Sequence, residues 1–121
     1  MRPPLLFATL ALAAAACAAD TDERPADFAY ISKTILEPNC ATATCHNDAT
    51  AREGYDFSSV EASRETFRRN GLVVQPDDPP ANPIIFILTT SGEERMPIDG
   101  PLPDADIALI ERWIINGAEL E

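Results

Sequence analysis

Two thiols and the chain's only histidine fall together in Cys40-Ala41-Thr42-Ala43-Thr44-Cys45-His46, and this stretch constrains the fold more than any other. Whatever uses these sulfurs also takes the imidazole beside them, so a small domain has to be organised around one site. In an oxidising compartment such thiols do not stay idle. Either they close a short disulfide loop, or they are consumed by a prosthetic group. A Cys-His pair following a nearby second Cys is the chemistry of c-type haem attachment, in which two thioethers tether the porphyrin and the imidazole becomes the proximal iron ligand. The usual spacer has two residues and this one has four, all small. The loop must therefore bulge if both sulfurs are to reach the vinyl groups. A Cys40–Cys45 disulfide in a turn remains an open alternative at this spacing.

The amino-terminal residues read as an address rather than as part of the fold. Arg2 supplies a positive region, and Leu5 to Ala16 is an apolar run of signal-peptide length, too short to span a bilayer. The run ends in Ala14-Ala15-Ala16-Cys17, small residues before a cysteine as in a bacterial lipobox. Residues 1–17 are thus expected to be a signal peptide, with Cys17 as the lipidation site. An ordinary cut at an Ala-x-Ala site, discarding Cys17, is the other possibility. Both export the protein, to a periplasmic location anchored to a bacterial membrane through lipid on Cys17 in the first case. Cys40 and Cys45 are then the two thiols left for use in the domain.

Export also sets the charge. Arg2 lies in the leader, leaving eight basic side chains against 20 acidic ones. Nucleic acid and anionic membrane surfaces are poor partners for so acidic a domain, whereas a basic protein would be steered toward it. The same excess also serves solubility. Residues 18–26 are polar and aperiodic and read as a flexible tether, leaving 27–121 as one small domain. A domain of this size buries a limited core and often needs a staple or a cofactor.

Along that domain, Phe28, Ile31, Ile35 and Leu36 recur at helical spacing, and Pro38 is expected to stop the helix. Ser58 and Glu61 form a capping box that opens a second helix, which ends at Asn70-Gly71. Leu72-Val73-Val74 is a short extended run. Asn82 followed by Pro83 predicts a helix start before Ile84-Ile85-Phe86-Ile87-Leu88, although that run has the composition of a buried strand. Residues 90–103 are a loop rich in Gly and Pro. Asp104 to Asn116 is the clearest helix, with Ile107, Ile110, Trp113 and Ile114 on one face and Asp104 and Asp106 in the first turn. The expected class is all-α, three to four short helices joined by long loops. Loops this long in so small a domain usually wrap something.

Met96 is the only methionine outside the leader, on a loop beside Pro97 and just before the last helix. Thioether sulfur opposite imidazole is an axial pair that raises the potential of a haem iron. The carboxy-terminal residues Arg95-Met96-Pro97, Gly100-Pro101-Leu102, Asp106-Ile107-Ala108-Leu109-Ile110, Trp113-Ile114 and Gly117-Ala118 resemble the end of small c-type cytochromes. Leu36-Glu37-Pro38-Asn39-Cys40 ahead of Cys45-His46-Asn47 resembles the entry to the haem motif of cytochrome-c-like domains in exported bacterial proteins. Gly54-Tyr55-Asp56-Phe57-Ser58 and Val74-Gln75-Pro76-Asp77-Asp78 resemble the middle of that family, so the likeness covers about residues 28–118.

The resemblance implies haem c, with thioethers at Cys40 and Cys45 and iron ligated by His46 and Met96. It also implies that the terminal helices cross, and that the Met is the distal ligand. On this reading Phe28, Ile31, Ile87, Trp113 and Ile114 keep the site dry. The expected function is monohaem electron transfer at the bacterial envelope with a basic redox partner protein. An enzyme is not expected, because no second metal site, nucleophile pair or substrate motif is visible. The adjacent acids Asp77-Asp78 and Glu93-Glu94 read as solvated charge. The alternative is a haem-free lipoprotein module of the same fold, stapled by Cys40–Cys45, that binds rather than carries electrons.

Overall fold

Four helices follow one another with long irregular connections in the computed structural model, which describes residues 22–121. The leader, Cys17 and the first residues of the expected tether lie outside the described residues. α1 covers 28–40 in three consecutive stretches: α-helical Phe28–Ile31, π-helical Ser32–Leu36 and α-helical Glu37–Cys40. α2 is Val60–Asn70, α3 is Pro83–Thr89 and α4 is Asp104–Ile115. Single 3₁₀ turns at Arg52–Gly54, Pro79–Ala81 and Gly92–Glu94 punctuate the loops. There is no β-strand among the described residues, so the all-α class holds at this level and Leu72-Val73-Val74 pairs with no partner strand.

The caps explain where the helices begin, and they correct one expectation. Asp27 opens α1 by accepting a 2.8 Å bond from the Tyr30 amide. α2 is capped by Ser59, whose hydroxyl accepts from the Ala62 amide at 3.1 Å, not by Ser58. Ser58 is engaged elsewhere, donating to the Asp56 carboxylate at 2.6 Å. Gly71 ends α2 in the left-handed region, φ 58°, where a side chain would cost energy.

Pro38 does not stop α1. The Glu37 amide bonds back five residues to the Ser32 carbonyl, widening the turn just ahead of the proline. A proline inside a regular α-helix presses its ring on the carbonyl four residues earlier. The wider turn changes that register, and the Asn39 side-chain amide takes the Ile35 carbonyl at 2.7 Å. Helical backbone thereby continues to Cys40, carrying that thiol onto the end of a rigid element.

The terminal helices cross as the matching apolar faces predict. Phe28, Ile31, Ile35, Ile110, Trp113 and Ile114 are all buried in one core. Phe28 and Trp113 sit 5.5 Å apart between ring centroids, Phe28 and Phe67 5.2 Å, and Phe67 and Trp113 5.6 Å. One aromatic triad therefore joins α1, α2 and α4. The Trp113 indole N–H donates to the Glu119 carbonyl at 2.9 Å, so its polar atom is satisfied inside the core. Ser32 and Ser63, both fully buried, share a 3.0 Å hydrogen bond where α1 meets α2.

The described part of the segment expected as a tether, residues 22–26, is held against α4. Arg24 pairs with Asp106 and donates to the Ala105 carbonyl at 2.9 Å, while Arg112 donates to the Arg24 carbonyl at 2.7 Å. Arg24 also bonds Asp22, lowering that carboxyl from its ordinary 3.8 to about 2.

The triad makes a prediction about stability. Trp113→Ala removes one member and leaves a cavity between three helices, so unfolding free energy should fall by about 3–5 kcal/mol. Chemical denaturation followed by circular dichroism checks it. A loss within about 1 kcal/mol, the size seen for tolerated substitutions, would mean that α1 and α4 do not depend on the ring.

Candidate functional site

His46 is held by backbone on both sides. Its amide donates to the Cys40 carbonyl at 3.0 Å, and its carbonyl accepts from the Phe57 amide at 2.7 Å. The ring nitrogen Nδ1 lies 3.0 Å from the Arg52 carbonyl. A carbonyl only accepts, so Nδ1 carries the proton and Nε2 keeps its lone pair. The same arrangement is used to aim metal-ligating histidines. Tyr55 and Phe57 present their edges to the ring, with centroids at 5.6 and 5.8 Å.

The Arg52 carbonyl is placed by a tight turn. The Arg52 amide donates to the Cys45 carbonyl at 3.3 Å, and the Thr50 hydroxyl takes the same carbonyl at 2.6 Å. Ala51 and Glu53, on either side of Arg52, both have left-handed backbone, with φ 33° and 57°. Non-glycine residues in that region carry strain of order 1 kcal/mol or more and persist only where surrounding bonds hold them. Here the bonds that hold them also fix the histidine.

Two clefts flank this histidine, with Cys40, His46 and Met96 bordering both. The first encloses about 680 Å³ of empty space counted to its open mouth. Its walls are apolar: Leu36 from α1, Tyr55 and Phe57 from the following loop, Leu72, and Ile84, Ile87 and Leu88 from α3. Glu53 and Glu94 stand at its edge, both exposed. The second, about 720 Å³, is more polar, with Thr42, Thr44, Cys45 and Arg52 on one side and Pro97, Ile98 and Asp99 on the other. The Met96 loop is pinned to α3 by a 3.0 Å bond from the Met96 amide to the Ile87 carbonyl.

All four residues singled out in the domain, Cys40, Cys45, His46 and Met96, thus meet around one paired cleft, although 50 residues separate His46 from Met96. Both thiols are free, so the disulfide of the alternative reading is not formed. The spacer folds into a turn of its own, with Thr42 accepting from the Cys45 amide at 2.9 Å and from the Asn47 side chain at 2.9 Å. Thr42, Ala43 and Thr44 are exposed.

The expected walls need correction. Of the five residues named to keep the site dry, only Ile87 lines either of the clefts beside His46. Phe28, Ile31, Trp113 and Ile114 are buried behind it in the helix-crossing core. Tyr55, Phe57 and the Arg52 carbonyl are the contributions that the sequence reading missed. The alternation in Gly54-Tyr55-Asp56-Phe57 was the available signal, since an extended segment puts Tyr55 and Phe57 on one side, where their rings stack at 6.4 Å. Asn82 also differs from expectation. It precedes α3 but does not cap it with its side chain. That side chain, fully buried, accepts from the Val74 and Gln75 amides at 2.7 and 2.8 Å and donates to the Gln75 and Asp78 carbonyls at 2.8 and 2.9 Å. It clamps the loop behind Leu72 and so supports the cleft wall.

Compared with known proteins, the chain matches no protein-family model, no curated protein and no solved structure. Among the described residues no helix is long and apolar enough to cross a membrane, and no three His, Cys, Asp or Glu side chains gather to hold a bare metal ion.

The two thiols differ in environment. Cys40 is half-buried at the junction of the clefts, and desolvation, followed by the charge of Cys45, pushes its thiol from 9.0 up to about 12. Because the thiolate is the nucleophile, Cys40 should resist iodoacetamide at pH 8 in protein without cofactor, and become reactive only on unfolding. Peptide mass mapping after timed alkylation reads this directly. Rapid labelling of Cys40 in the folded chain would show that its sulfur is open to water.

Proposed function

We propose that the protein is a monohaem, c-type-cytochrome-like electron carrier of the bacterial envelope, exported and anchored through lipid on Cys17. Haem c would be held by thioethers at Cys40 and Cys45, with His46 and Met96 as axial ligands. The observation that carries this reading is the convergence of His46, Met96 and Cys40 on one apolar cleft, with Nδ1 of the histidine already engaged by a carbonyl. With the two thiols assigned to the porphyrin, and no three His, Cys, Asp or Glu side chains gathered to hold a bare ion among the described residues, one imidazole nitrogen and one thioether are the donors left. They suit an iron whose four equatorial positions belong to a porphyrin. When bound, the haem supplies a one-electron Fe(II)/Fe(III) couple.

The chain's own residues do the rest. The Arg52 carbonyl holds the His46 ring and leaves Nε2 as the nitrogen free to ligate. Met96 brings sulfur in on a loop fastened to α3. Leu36, Phe57, Leu72, Ile84 and Leu88 exclude water, and burial of this kind is one of the levers that set a redox potential. The free thiols supply S–H groups at the clefts that the imidazole borders. None of this calls for an acid, a base or a nucleophile acting on a substrate, so the reading is a carrier and not an enzyme.

The test is expression in a host competent for c-haem maturation, followed by intact mass, haem staining after denaturing electrophoresis and visible spectroscopy. A covalent adduct is the expected result. His46→Ala should abolish stable haem incorporation. Met96→Ala should retain haem but open one coordination position, lower the potential and admit external ligands. An unmodified mass, with two thiols that can be alkylated only after reduction, would overturn the proposal and put the disulfide-stapled binding module in its place.

A further inference from the structure

We infer that the surface formed by the Met96 loop, α3 and the loop before α3 is a docking site for a basic protein. This rests on the electron-carrier reading only for what would pass between the two partners. The docking itself follows from exposed apolar side chains and from the charge around them.

Charge is unevenly divided along the chain. Residues 71–111 carry eight acidic side chains and one basic one, Arg95. α2, by contrast, carries Glu61 and Glu65 against Arg64, Arg68 and Arg69. Those arginines are matched locally, Arg69 with Glu65 at 2.9 Å and Arg68 with Glu121 at 3.1 Å. Asp77, Asp78, Glu93, Glu94 and Asp99 are all exposed, and no cation pairs with them among the described residues. A field of one sign at a cleft mouth steers an oppositely charged partner to it.

The same segment carries the apolar exposure. Val74 is 59% exposed, Phe86 56% and Ile98 61%, three of the four large hydrophobic side chains left in water among the described residues. They sit on elements strapped to one another. The Val74 amide bonds the Asn82 side chain and the Phe86 amide the Asn82 carbonyl, at 2.7 and 3.1 Å. The Met96 loop that bears Ile98 is fixed to Ile87, the neighbour of Phe86. Ile87 and Ile98 each line a cleft, so this surface forms the rim of the candidate site. Exposed apolar groups ringed by charge are the make-up of a transient interface: the apolar groups supply contact and the charges choose the partner. With unpaired carboxylates as the exposed charge of this segment, the partner must be cationic.

The experiment uses the full-length chain, with and without haem, and lysozyme as a small basic protein probe. Amide chemical shifts should move on titration at residues 73–99, with Phe86 and Ile98 among them, and return as salt is added. Replacing Asp77 and Glu93 by Lys should weaken association about tenfold or more, whereas the same charge change at Glu61 and Glu65 on α2 should alter it less than about twofold. Equal loss from the two pairs would mean that net charge alone drives binding. Shifts centred on α2 and the carboxy-terminal tail, or spread evenly, would place the partner elsewhere. Either outcome overturns the proposal. A chain that loads haem but gives either of these results loses only the docking surface; one that shows the rim-centred shifts but never loads haem loses only the electron-carrier reading.

Discussion

The contact among Phe28, Phe67 and Trp113 is the constraint on which the rest of the structure depends. It brings together helices from the beginning, middle and end of the domain, and so closes a chain whose loops are too long to order themselves. Ordering each loop residue costs about 1–2 kcal/mol of backbone entropy, and a small domain has few other places to recover it. Edge-on aromatic pairs add about 0.5–1.5 kcal/mol each beyond the area they bury. The buried Ser32–Ser63 bond and the Arg24 contacts with α4 tighten the same crossing from either side. With α1 fixed in this way, its last turn delivers Cys40 to the place where the loop carrying His46 begins.

Core and site are consequently adjacent layers that share a wall. The crossing helices bury Trp113, Phe28, Ile31 and Ile114 in one compact mass, and the cleft opens on the opposite flank of α1, beyond Leu36. Leu36, Phe57, Leu72, Ile84 and Leu88 belong to both, being members of the core that also form the cleft wall. The cleft is thus walled partly by helices, through Leu36, Ile84, Ile87 and Leu88, and partly by loops. Loops are held here by individual hydrogen bonds, from Asn82, Thr50, Asn47 and the Arg52 carbonyl. Strain gathers in the same place, at Ala51 and Glu53, where the turn that aims His46 leaves the usual backbone regions.

Acidity has different consequences on the two sides of the molecule. Around α2, carboxylates and guanidinium groups neutralise each other at the surface, where such pairs contribute little to stability. On the side of the Met96 loop the carboxylates are exposed and unmatched, with Glu94 at the edge of the apolar cleft. Their mutual repulsion is tolerable because they are solvated.

The positions of the helices were readable from residue order because their causes are local. Apolar spacing through Phe28, Ile31 and Ile35 or Ile107, Ile110 and Trp113 records one face of one helix, and Gly71 or Gly117 records a local stop. The choice of Cys40, Cys45, His46 and Met96 as a set was also available, since their chemistry is a property of residue type. What the residue order did not contain was which apolar groups face the cleft. Phe28 and Ile87 look alike in a sequence, and only the crossing of α1 with α4 sends one to the core and leaves the other at the site. Continuation of α1 past Pro38 required a five-residue hydrogen bond that local propensity argues against. The roles of Asn82 and of the Arg52 carbonyl depended on partners supplied by the folded loops. Side-chain chemistry and periodicity belong to the sequence by itself; the direction each side chain faces belongs to the tertiary structure, because packing between distant segments sets it.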